Sequence, residues 1–148
     1  MKGVQVENLF IGEYRHQLDE KGRLAIPAKF RGSLKKGAVV TKGLEGCLFV
    51  YTPDEWKTLT AKLKAMPISS ASARAFNRQL LAGAMLVELD SQGRINLPKY
   101  LIDFAALKAM TVVAGLMDRL EIWNTTPWES YQKKTDKDYE TLAEQLLV

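Results

Sequence analysis

The stretch Asp19-Glu20-Lys21-Gly22-Arg23-Leu24-Ala25-Ile26-Pro27-Ala28-Lys29-Phe30-Arg31 returns 71 residues later, beginning Asp90-Ser91-Gln92-Gly93-Arg94-Ile95-Asn96-Leu97-Pro98-Lys99-Tyr100. Asp, Gly, Arg and Pro recur at identical internal spacing. A lone D-x-x-G-R is a weak signal, but two copies with matching flanks mark an internal duplication. Each copy reads as a tight turn, a short strand and a proline-opened helical turn. Asp19 and Asp90 suit the turn because a carboxylate accepts N–H bonds from the residues that follow. Gly22 and Gly93 can take the positive φ that closes such a loop. Leu24 and Ile26 alternate with Arg23 and Ala25, so one face of the strand is apolar. Pro27 fits the first position of a helix, where its missing N–H is not needed.

The rest of the chain falls into place around these copies. Residues 9–18 read as a strand with Tyr14, His16 and Leu18 on one face and Glu13, Arg15 and Gln17 on the other. With 23–26 it is expected to form a β-hairpin across the turn at 19–22. A short helix over 27–34 and strands over 38–42 and 48–51 complete the first unit. Thr52-Pro53-Asp54-Glu55 is a capping box, and Trp56, Leu59 and Leu63 form the apolar stripe of the helix it opens. A second helix, about 70–82, carries Ala73, Phe76, Asn77, Leu80 and Leu81 at helical spacing, with Gly83 placed as its C-terminal cap. Arg74 and Arg78 lie one turn apart on it, either as exposed side chains or as a bridge for a phosphate. The second unit repeats the plan over 85–89, 94–97, 98–107, 111–114 and 120–123. Val112 matches Val40 at an offset of 72, and Thr126-Pro127-Trp128-Glu129 repeats the capping box. Tyr139, Leu142, Ala143, Leu146 and Leu147 predict a terminal amphipathic helix with an acidic outer face.

Each β-unit has only about 40 residues, too few to bury a core alone. The expected fold is therefore α+β, with two duplicated β-units combined in one closed or interleaved β-barrel of pseudo-two-fold symmetry. The boundaries expected are a leader and the start of the first strand at 1–12, unit 1 at 13–55, a helical connection at 56–83, unit 2 at 84–127 and a C-terminal helical segment at 128–148.

Several function classes lose ground on composition. No apolar run approaches the ~20 residues that span a bilayer, so no membrane partner is expected. Cys47 is the single cysteine and His16 the single histidine, so neither a disulfide nor a zinc site is expected. No histidine–nucleophile set, glycine-rich phosphate loop or metal cluster supports an enzyme, so no cofactor and no small-molecule substrate are expected. The compartment read from cysteine usage is the cytoplasm. The 148 residues carry a net charge of +4, unevenly spread. Residues 1–36 alone carry that whole excess, while 117–148 carry a net charge of −3. A basic front suggests an anionic partner.

Glu13-Tyr14-Arg15-His16, followed by Asp19-x-x-Gly22-Arg23-x-x-x-Pro27-Ala28-Lys29-Phe30-Arg31, resembles the MraZ family, whose units are of the AbrB-like (SpoVT-AbrB) swapped-hairpin class. Asp90-x-x-Gly93-Arg94, Arg74-Ala75-Phe76 and Leu120-Glu121-Ile122-Trp123 agree, and the resemblance covers nearly the whole chain. Family members usually begin close to Phe10, so residues 1–8 are a departure. The resemblance implies a bacterial, nucleoid-associated transcription regulator. It would bind repeated boxes in double-stranded DNA upstream of the cell-division and cell-wall gene cluster, which includes its own gene. It also implies a ring-like homo-oligomer.

The cations suited to DNA are Arg15, Lys21, Arg23, Lys29 and Arg31 in the first unit and Arg94 in the second. Arginine can engage guanine bidentately, whereas lysine mostly neutralises phosphate. His16 either touches a phosphate or is simply packed. Arg23 and Arg94 have a second reading, an ion pair with Asp19 or Asp90 that fixes the turn and can coexist with DNA contact. The second unit has Gln92 for Lys21, Ile102 for Arg31 and no match for Arg15, so the first unit is expected to make most contacts. Cys47 reads as a core or loop residue, and Trp123 and Trp128 as packing or subunit-contact residues rather than base-stacking platforms. The competing function is a ring-forming scaffold whose basic patch takes an acidic protein partner.

Overall fold

The computed structural model describes residues 9–147, so the leader expected over residues 1–8 lies outside the described residues. The first repeat forms β1 (Phe10–Gln17), β2 (Arg23–Ala25), α1 (Ala28–Arg31), a 3-10 turn (Gly32–Leu34), β3 (Ala38–Lys42), β4 (Leu48–Tyr51) and α2 (Pro53–Lys64). Helix α3 (Ala71–Ala82) leads to the second repeat: β5 (Met85–Val87), β6 (Arg94–Asn96), α4 (Lys99–Phe104), β7 (Met110–Met117), β8 (Leu120–Asn124) and α5 (Thr125–Asp136). Helix α6 (Tyr139–Gln145) follows.

The strands do not pair in the order expected. A six-stranded antiparallel sheet runs β1-β7-β8-β4-β3-β5, and β2 pairs with β6 in a separate two-stranded ribbon. The hairpin between β1 and β2 is therefore a misreading: the two share a single bridge, Leu18 to Leu24. The turn chemistry is local and does form, but the partner of β2 is chosen by burial. Pairing with β6 places Leu24 opposite Ile95 and removes both completely from solvent. The sheet is also open rather than closed. Its edges are β1 and β5, and β5 is only three residues long before the chain leaves the ladder for the turn at 90–93.

The repeats are nonetheless interleaved about a pseudo-two-fold axis. Unit 1 lends β1 to β7 of unit 2, and unit 2 lends β5 to β3 of unit 1. The axis passes between Leu24 and Ile95, equivalent residues that pair with each other. It passes again between Phe49 and Glu121, also equivalent and also paired. Each turn glycine carbonyl accepts from the other repeat: Ile26 N–H donates to Gly93 O at 3.0 Å, and Leu97 N–H to Gly22 O at 2.7 Å. The register corrects one correspondence. Val40 pairs with Val50 and Val113 with Ile122, so Val113, not Val112, is the counterpart of Val40. Val112 faces the opposite side of the sheet.

Two cores result. Between the sheet and the ribbon lie Phe30, Leu34, Val40, Leu48, Val113 and Ile122 with Leu24 and Ile95. On the other face of the sheet, α2 and α5 cover Cys47, Phe49, Tyr51, Ala114 and Trp123 with Trp56, Leu59 and Trp128. The expected packing roles of Cys47, Trp123 and Trp128 hold.

Helix ends follow local chemistry, with three corrections. Thr52 caps α2 through Glu55 N–H, and Ser70 caps α3 through Ala73 N–H, both as side-chain acceptors. The second capping box does not form: Asn124 caps α5 through Thr126 N–H, so the helix starts one residue before Thr126. Gly83 is the C-terminal cap of α3, as expected, with an ordinary right-handed φ. Its need is steric, since a Cβ there would stand 2.5 Å from Gln79 O. Pro27 and Pro98 stand just before the first helical residue rather than at it, a one-residue boundary difference. Helix α6 forms, but Tyr139, Leu142, Leu146 and Leu147 remain exposed instead of packing inward.

Candidate nucleic-acid interface

The two turns are built alike. Asp19 Oδ1 accepts from Lys21 and Arg23 N–H, each at 2.9 Å, and Oδ2 accepts from Arg23 Nε at 2.7 Å. Asp90 repeats this with Gln92, Arg94 and Arg94 Nε at 2.9, 2.9 and 2.8 Å. The backbone bond from Arg23 to Asp19, and that from Arg94 to Asp90, hold both carboxyls below the ordinary carboxylate range. Gly22 and Gly93 close the turns at φ of 81° and 76°. The ion pair that the sequence left as one reading of Arg23 and Arg94 is thus present in both copies.

The ribbon decides where these arginines go. Arg23 stands opposite Asn96, and Ala25 opposite Arg94. Directly opposed residues share a face, and Leu24 and Ile95 occupy the buried one. Arg23, Ala25, Arg94 and Asn96 therefore share the outer face. Arg23 and Arg94 are diagonal neighbours there, within reach of long side chains. Each guanidinium is drawn through Nε towards its own turn, and the turns stand at opposite ends of the ribbon.

The other cations are distributed by the interleaving. Arg31 Nε donates to Ile26 O at 2.8 Å, and its side chain lies against Gly93 of the other repeat. Its charge, after the larger effect of burial, lowers the pKa of His16. Lys29 sits over the Tyr14 and Phe30 rings at 5.7 and 5.8 Å. Lys21 is exposed at the tip of the first turn. Arg15 is not drawn into this group. It lies on the opposite face of β1 from Tyr14 and His16, near Glu13 at 3.5 Å and Glu129 of α5 at 3.4 Å.

Sequence reasoning missed Lys99 and Asn96. Lys99 lines a groove with Lys21 and Asp19 beside the first turn, while its Nζ bonds to Asp103 Oδ2 at 2.7 Å. The signal was the position after Pro98, which holds alanine in the first copy. Asn96 became relevant only through its pairing with Arg23. Among the described residues no group of His, Cys, Asp and Glu could hold a metal ion, and no helix is long and apolar enough to cross a membrane.

The sequence matches the family described as "MraZ protein, putative antitoxin-like" twice, over residues 9–79 and 80–148. A relative from Natranaerobius thermophilus is 46% identical over 94% of this chain and 97% of its own length. One from Caldanaerobacter subterraneus is 47% identical, over 93% and 96%. One from Heliobacterium modesticaldum is 49% identical, over 94% and 97%. Each of the three is named "Transcriptional regulator MraZ".

Proposed function

The chain belongs to the MraZ family, and on that premise we propose that it is a sequence-specific DNA-binding transcription regulator whose DNA interface is the outer face of the β2–β6 ribbon. One observation carries this reading: Arg23 and Arg94 share the single solvent face of a two-stranded ribbon. A ribbon of this kind is narrow enough to enter a major groove, where arginine reads guanine. Anchoring Nε to Asp19 or Asp90 orients each guanidinium before DNA arrives, which lowers the ordering cost of binding. Lys21, Lys29, Arg31 and Lys99 neutralise phosphates around the two turns, with His16 beside Arg31. Arg15 is left out of this set because its neighbours are Glu13 and Glu129.

The sequence alone favoured contacts from the first unit. The interleaving argues for a composite patch instead, since Arg31 of unit 1 lies against the turn of unit 2. The inter-repeat pairing is also consistent with a swapped-hairpin dimer condensed into one chain. A patch this small binds modestly, so repeated subunits on repeated boxes would raise affinity through effective concentration. We accordingly read the working form as a ring-like homo-oligomer in the cytoplasm, associated with the nucleoid. Its targets would be repeats upstream of the cell-division and cell-wall gene cluster, including its own promoter.

The test is binding to a fragment of the gene's own upstream region against a scrambled fragment, with carrier DNA present. Preference for the native fragment is the expected result. Equal binding to both would reject sequence specificity. Binding to neither at low salt would replace this reading with the scaffold that engages an acidic protein.

A further inference from the structure

Four residues form the outer face of the β2–β6 ribbon, and the pseudo-two-fold axis treats them differently. The axis between Leu24 and Ile95 maps Arg23 onto Arg94 and Ala25 onto Asn96. The arginines are alike. Each bonds its aspartate through Nε, at 2.7 and 2.8 Å, and the terminal nitrogens make no hydrogen bond to the described residues. Two donors are what the O6 and N7 of a guanine require, and each arginine keeps two. Ala25 and Asn96 are not alike, so the face is symmetric in its cations and asymmetric in its neutral positions.

The register fixes where the asymmetry falls. Asn96 stands directly opposite Arg23, and Ala25 directly opposite Arg94. One end of the face therefore offers a guanidinium with a carboxamide, and the other a guanidinium with a methyl. Asn96 is exposed, and its amide makes no hydrogen bond to the described residues. Its Oδ1 lies 3.4 Å from the point that a Cβ on Gly22 would occupy, so the amide sits against the first turn. The backbone beneath it is held, since Leu97 N–H donates to Gly22 O at 2.7 Å. The two ends lie about 7 Å apart along the ribbon, close to two base-pair steps of about 3.4 Å each.

The chemistry of a carboxamide selects one base. In the major groove adenine alone among the bases shows both an acceptor, N7, and a donor, N6–H. Asparagine matches that pair, with Nδ2–H donating to N7 and Oδ1 accepting from N6–H. Guanine presents two acceptors, which would leave Oδ1 facing O6 with no proton between them. The methyl of Ala25 has no such code and suits at most the C5-methyl of thymine.

We propose that Asn96 is a specificity-determining residue of this face: it reads an adenine in the major groove next to the guanine taken by Arg23. Because Ala25 cannot do the same beside Arg94, the protein engages an asymmetric box in one direction only. This inference rests on the ribbon reading above and names the base that its neutral position selects.

The test uses the full-length protein and its Asn96→Ala variant, which places in the second copy the residue that the first copy carries. Both are titrated with the upstream fragment, each base pair of the bound box being changed in turn. Each adenine is also replaced in turn by 7-deazaadenine, which lacks only the N7 acceptor and leaves the protein untouched. Changing one A·T pair should weaken wild-type binding about tenfold, and 7-deazaadenine at that place should weaken it too. Asn96→Ala should be indifferent to both changes and keep the guanine preferences. A loss for Asn96→Ala that is uniform across sequences would mark a phosphate contact and overturn the proposal, as would unchanged base preference. In either case, guanine preference lost in Arg23→Ala would leave the ribbon reading standing. Base preference unaltered in Arg23→Ala, Arg94→Ala and Asn96→Ala alike overturns both.

Discussion

Both carboxylate oxygens of Asp19 are committed to its own turn, and the same holds for Asp90. Their lowered pKa values mean that the folded state holds the charged form more tightly than the unfolded chain does. The stability they contribute is present above the ordinary value of 3.8 and is lost as pH falls through the lowered folded values. His16 has the opposite chemistry and the same direction. Its folded pKa lies below 6.5, so the unfolded state takes the proton first, and stability declines as pH falls below 6.5. An NMR titration should place His16 below 6.5. Arg31→Ala should move it upward by removing the neighbouring charge, with burial still holding it below 6.5. Bound DNA should also raise it, because a phosphate favours the imidazolium. A midpoint that ignores DNA would remove His16 from the interface.

The turn glycines permit a sharper comparison at the same scale. Both have positive φ, so alanine at either is strained by about 1–2 kcal/mol. At Gly22 the new Cβ would also meet Leu97 O at 2.8 Å, a backbone atom that cannot step aside. At Gly93 it would meet the flexible side chain of Arg31. Gly22→Ala should therefore be the more destabilising, while Gly93→Ala should weaken DNA binding by dislodging Arg31. Urea denaturation and a binding isotherm separate the two effects, and equal denaturation midpoints would contradict the argument.

At the scale of elements, the β2–β6 ribbon holds the molecule together across its axis. Leu24 and Ile95 are equivalent, paired and wholly buried, so Leu24→Ala and Ile95→Ala should each cost about 2–5 kcal/mol and differ little from each other. A large difference in urea midpoint would mean that the two halves of the core are not equivalent. This element also marks the limit of reading from sequence. Asp19, Gly22 and the alternation around Leu24 announce a turn and a strand, because those signals are local. They carry nothing about which strand lies alongside. Leu24 keeps a single bridge to Leu18 on one edge, while burial against Ile95 on the other edge decides where the ladder extends. The same limit let Val112 stand for Val40: identity favoured the match, whereas the side of the sheet each faces is a property of the assembled ladder. Thr126 failed as a cap for a different reason, since Asn124 was a better acceptor two residues earlier.

For the whole molecule, the duplication was the most legible feature, and its consequence was the least. Two copies of one motif foretold two equivalent units, and the uneven charge foretold the basic front. They did not foretell that the copies would exchange strands and set Arg23 and Arg94 on one face of a shared ribbon. Arg15 reads as a neighbour of Arg23 in sequence, yet it lies across β1 from Tyr14 and His16, near Glu13 and Glu129. Lys99 reads as an unremarked lysine, yet it stands beside Lys21. The interface we propose is therefore a property of the interleaved pair and not of either unit.

The most direct measurement of that claim is the salt dependence of binding to the native upstream fragment for wild type, Arg23→Ala and Arg94→Ala. If the ribbon face is the interface, each substitution weakens binding by about 1–3 kcal/mol and relaxes base preference. Losses for the two should be similar, because Arg23 and Arg94 occupy equivalent places on one face. Wild-type salt dependence and undiminished preference in both variants would place the DNA elsewhere and overturn the account.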